Sequence, residues 1–145
     1  MMRRVQLCVT ILILAWIGTV SADEKKDQAM IQGTWQDDVD KDATVVVEDD
    51  TMKLMRKKDV LYTIKYQLDS SKSPKTIDLT IVEGEGKGGK MPGIYKFDGQ
   101  KLVIAYALPS FEGGKLNFDQ PRPKSFPAMK SPTMALLTMS KVKKE

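Results

Sequence analysis

Gly84-Glu85-Gly86-Lys87-Gly88-Gly89-Lys90 has the G-x-x-x-x-G-K spacing with which backbone amides cradle phosphate and a lysine reaches it. That chemistry needs a following Ser or Thr for magnesium and a helix to carry it, yet Met91 and Pro92 come next and lead into a strand pattern. The stretch therefore reads as a flexible inter-strand loop. Asp38-Val39-Asp40-Lys41-Asp42 opens like a calcium loop, but Ala43 stands where its turn glycine belongs and Asp49 where its glutamate belongs. A solvated hairpin tip is the better reading.

Hydrolysis of a glycoside would need two buried carboxylates facing each other. Asp78 is a candidate for one, and a strand aspartate bonding a neighbouring turn or basic side chain is the plainer role. Met52, Met55, Met91, Met129, Met134 and Met139 raise the question of copper. Met52 and Met55 fall on opposite faces of one strand, and adaptable core packing explains methionine without a metal.

The chain has no histidine, which removes the Ser-His-Asp triad, imidazole ligands and imidazole acid–base work together. Its one cysteine, Cys8, sits in an apolar run near the start, so thiolate chemistry and disulfides are excluded from the rest. The expectation is a non-catalytic protein with no metal and no cofactor.

What remains is recognition. Tyr62, Tyr66, Tyr95 and Tyr106 each place an apolar ring with a polar tip on the inward face of a strand, which suits a small hydrophobic or amphipathic ligand. Trp35, Phe97 and Ile104 complete this expected lining. The same side chains also suit a filled interior, because a barrel of about eight strands is just wide enough for its own residues. Trp35 then acts as a plug with Arg122 or Lys141 stacked on it.

Strands must position these residues. Thr76 to Val82 alternates Ile77, Leu79 and Ile81 against Thr76, Asp78 and Thr80, the period of a strand with one buried face. Val60 to Leu68 alternates likewise. Gly93 to Phe97 and Lys101 to Ala107 flank Asp98-Gly99, a hairpin signal. Setting Phe97 against Leu102 and Tyr95 against Ile104, across a loop from Asp98 to Lys101, avoids opposing Lys96 with Lys101.

Thr44 to Glu48, Thr51 to Arg56, Ser125 to Ala128 and Thr133 to Lys141 read as further strands, and Asp23 to Ile31 as a short helix or irregular lead-in. Leu108 to Pro123 is the long irregular segment, a lid over the lining. Short links and the lack of a crossover helix predict an all-β antiparallel meander. With about eight strands it closes into a lipocalin-like barrel, removing its edges.

Met1 to Ala22 has Arg3 and Arg4, an apolar run from Val5 to Val20, and small residues at Val20-Ser21-Ala22, the pattern of a signal peptide. An uncleaved anchor is the rival reading, which the acidic and basic run directly after Ala22 disfavours. Cleavage leaves residues 23–145 as one domain, secreted or periplasmic, with no membrane span. Losing Arg3 and Arg4 leaves 21 basic against 19 acidic residues, so nucleic acid is not an expected partner.

Gly33-Thr34-Trp35 resembles the Gly-x-Trp pattern of lipocalins. The chain more fully resembles an uncharacterised lipocalin-like domain family expanded in planctomycete bacteria. The matching residues are Ile31 to Trp35, Pro74 to Thr80, Pro92 to Tyr95, Asp98-Gly99-x-x-Leu102, Arg122-Pro123-x-x-Phe126 and the apolar last strand. The resemblance implies a barrel fold and an exported location, and carries no reaction. Two expectations follow: an exported small-molecule binder, or an envelope structural or protein-interaction domain with a filled barrel and an apolar patch at Phe111, Leu116 and Phe118.

Overall fold

The computed structural model describes residues 22–143. The expected leader over residues 1–22 lies, Ala22 apart, outside the described residues. Helix α1 (Ala22–Met30) comes first, with Asp23 and Glu24 in its opening turn, where the helix dipole favours negative charge.

Eight strands follow as a meander: β1 (Gly33–Asp37), β2 (Ala43–Glu48), β3 (Thr51–Arg56), β4 (Asp59–Asp69), β5 (Thr76–Glu83), β6 (Lys90–Asp98), β7 (Lys101–Ala107) and β10 (Met134–Lys141). Each pairs antiparallel with its neighbours, and β10 returns beside β1, so the sheet closes with no free edge. Before β10 the chain forms a separate hairpin of β8 (Ser110–Glu112) and β9 (Lys115–Asn117). The expected all-β barrel of about eight strands is the fold observed.

The register of the central hairpin places Phe97 opposite Leu102, Lys96 opposite Val103 and Tyr95 opposite Ile104. These are the expected pairs. Pairing continues through Asp98 and Lys101, so the loop is two residues, Gly99-Gln100, with Gly99 at φ +60°. Ladder breaks at Leu54/Met55 and Thr63/Ile64 bend β3 and β4.

Two other expectations are corrected. Ser125 to Ala128 forms no strand, and Leu108 to Pro123 is not irregular throughout, because Gly113 and Gly114 adopt positive φ and turn β8 back onto β9. The segment after β9 lies across the outside of β5 and β6. Arg122 donates to the carbonyls of Ile77 at 3.2 Å and Gly93 at 2.8 Å and to Asp78 Oδ1 at 2.6 Å. Lys96 Nζ lies 4.6 Å from the Phe126 ring centre. Ile94, Val103 and Ala105 alternate with inward residues and so face outward, yet they are buried.

Inside, Trp35, Val45, Val47, Met52, Ile64 and Tyr66 join the inward residues of β5, β6, β7 and β10 in one continuous core.

Candidate functional site

The two ends of the barrel differ in chemistry. One end lies beneath α1, where Asp27, the buried residue of that helix, accepts from Tyr95 Oη and Lys75 Nζ, each at 2.7 Å. Gln28 and Gln32 donate to Tyr66 Oη at 2.7 and 3.0 Å, and Tyr66 donates to the carbonyl of Asp49. Trp35 Nε1 donates to the carbonyl of Ile31 at 2.8 Å. Burial pushes the phenols of Tyr95 and Tyr66 up, and at Tyr95 the Asp27 carboxylate adds to the effect. This end is sealed.

The opposite end is bounded by the β5–β6 loop and the β8–β9 hairpin. Along four strands burial declines towards it: Met52 to Leu54 on β3, Ile64 to Tyr62 on β4, Ile104 to Tyr106 on β7, and Met139 to Leu137 on β10. Leu54 and Tyr62 are cross-strand partners. Burial pushes the Tyr106 phenol up, and the proximity of Tyr62 adds to this.

No described side-chain nitrogen or oxygen that is fully buried lacks a partner. Tyr62 and Tyr106 make no hydrogen bond to a described residue, and neither hydroxyl is fully buried. Polar tips on apolar walls are what an amphipathic molecule requires.

The glycine-rich loop has a structural role here. A Cβ on Gly89 would come within 2.4 Å of the Phe118 ring, and one on Gly86 within 2.7 Å. The loop is thus a socket for Phe118, and the residues between strands β5 and β6 are held by that packing. Phe118 is half-buried at the rim, while Phe111, paired across the hairpin with Leu116, is 73% exposed.

The expected lining residues are distributed between these regions. Tyr62 and Tyr106 both lie towards the open end. Tyr66, Tyr95 and Ile104 are buried deeper, and Trp35 plugs the sealed end, its ring 6.4 Å from Phe97. Lys141, not Arg122, stacks on Trp35, with Nζ 5.5 Å from the ring centre.

Trp35 and Phe97 also border a cleft of about 1050 Å³ at the α1 end of the barrel, between α1, the β6–β7 turn and the end of β10. This cleft had no counterpart in the sequence reading. Its walls come from segments distant in the chain, and no local pattern unites them.

Among the described residues no group of three or more Asp, Glu, His or Cys is placed to hold a metal ion. Asp78 is occupied by Arg122, and Asp40 of the calcium-like run pairs with Arg56 at 2.6 Å. No family model, no curated protein and no solved structure matches the chain.

Proposed function

We propose that this chain is an exported, non-catalytic binding module of the lipocalin-like kind, secreted or periplasmic, that takes a small hydrophobic or amphipathic molecule at the open end of its barrel. The observation that carries the reading is the contrast between tyrosines. Tyr66 and Tyr95 spend their hydroxyls on sealing one end, whereas Tyr62 and Tyr106 keep theirs at the other, among the half-buried apolar side chains of Leu54, Leu137 and Phe118. Export rests on the leader pattern of residues 1–22, and cleavage after Ala22 would leave α1 whole but for its first residue.

Native mass spectrometry of the protein purified from its own host tests this. A retained small molecule is expected, with occupancy falling severalfold in Tyr62→Phe/Tyr106→Phe, since two hydrogen bonds of about 1 kcal/mol each are removed. A second reading, an envelope structural or protein-interaction domain, draws support from the continuous packed core and from exposed Phe111 beside Leu116. A spectrum showing only the bare chain mass would select it.

A further inference from the structure

We propose a second binding site in the cleft under α1, for a free amphiphilic monoanion: an apolar body carrying one carboxylate head. It is independent of the open-end site, from which the packed interior separates it. Met30, Phe97 and Val142 wall the cleft, which at about 1050 Å³ matches the size of small-molecule sites. Among the described residues its charged lining is Lys141 and Lys143, with no carboxylate.

Neither lysine belongs to an ion pair among the described residues. Lys141 is held in place: its Nζ lies 3.3 Å from the Met30 carbonyl, and its stem runs so close to Gly33 that a Cβ there would stand 3.2 Å from Cε. Gln100, also on the rim, makes no hydrogen bond to a described residue. Acidic groups flank the adjoining depressions, Asp98 on one side and Glu48 and Asp49 on the other. They oppose a more highly charged ligand and leave a single negative head favoured.

Lys141 has a structural reason to be where it is, since a cation satisfies the last carbonyls of a helix. Lys143 has none, and is the cleaner probe.

Calorimetric titration of the full chain with dodecanoate below micelle formation and with dodecanol below its solubility limit tests the proposal. Dodecanoate should bind, and dodecanol at least about tenfold more weakly, the loss expected for one charge-assisted hydrogen bond. Lys143→Gln and Lys141→Met should each weaken dodecanoate severalfold and leave dodecanol unchanged, and the same loss should appear when either lysine change is made in Tyr62→Phe/Tyr106→Phe, which lacks the open-end hydroxyls. Equal affinity for the two probes, indifference to the lysine variants, loss only in the tyrosine variant, or no heat from either would overturn it. So would binding to phosphatidylglycerol vesicles without binding to free dodecanoate.

Discussion

Asp27 shows how one residue fixes an element. It is a carboxylate only 4% exposed, on a helix whose other side chains are exposed or half-exposed, so α1 is not held down by an apolar face of its own. A buried carboxylate is costly unless paired, and here Oδ2 accepts from both Lys75 and Tyr95. Asp27→Ala would leave the Tyr95 hydroxyl without its acceptor, and is expected to cost about 2–4 kcal/mol in urea unfolding. Tyr95→Phe keeps the ring and the Lys75 pair and should cost about 1 kcal/mol. Nothing in the polar run Asp23 to Gln28 marks Asp27 for burial, because its partner Tyr95 lies far along the chain. The inward face of Tyr95, by contrast, was legible from alternation alone.

At the scale of elements, periodicity revealed those strands with one face to bury. β4 and β5 came from period-two patterns, β6 and β7 from the hairpin signal Asp98-Gly99, and the hairpin register from charge opposition at Lys96 and Lys101. β8 and β9 were missed because three-residue strands carry too little period to detect. The strap fixed by Arg122 had a signal: Leu102-Val103-Ile104-Ala105 is apolar on both faces, which marks a strand covered on both sides. The glycine loop is the connection its composition indicates, but Gly86 and Gly89 answer to an aromatic ring brought in from after β9. Gly89→Ala should force Phe118 out and cost about 1–3 kcal/mol as overpacking. In Gly89→Ala/Phe118→Ala the penalty of the first change should shrink, giving a coupling of about 1 kcal/mol by urea unfolding of the four-protein cycle. Additive effects would mean that the ring and the loop do not meet.

For the molecule as a whole, stability should fall at both extremes of pH, for different reasons at each. Bonds from Lys101 and then Ser140 hold the Asp38 carboxyl below its usual range, and bonds from Ser71 do so for Asp69. A carboxyl depressed in the fold stabilises above its unfolded value, about 4, and that contribution is lost as pH falls through the folded value. Both groups are near the surface, so the acid effect should be gentle and weakened by salt. The alkaline limb should be steeper. Burial raises the phenols of Tyr66, Tyr95 and Tyr106, so the fold favours their neutral forms. Their contribution is complete below about pH 10 and disappears as pH climbs towards the folded values. Tyrosinate absorbance and circular dichroism, followed together, should show the ionisation of Tyr66, Tyr95 and Tyr106 arriving with the loss of the barrel signal. In Tyr66→Phe/Tyr95→Phe the alkaline transition should move to higher pH even though stability at neutral pH is lower. That opposite movement separates the titration of the sealed end from a general loss of packing, because losing two hydrogen bonds alone would shift both in the same direction.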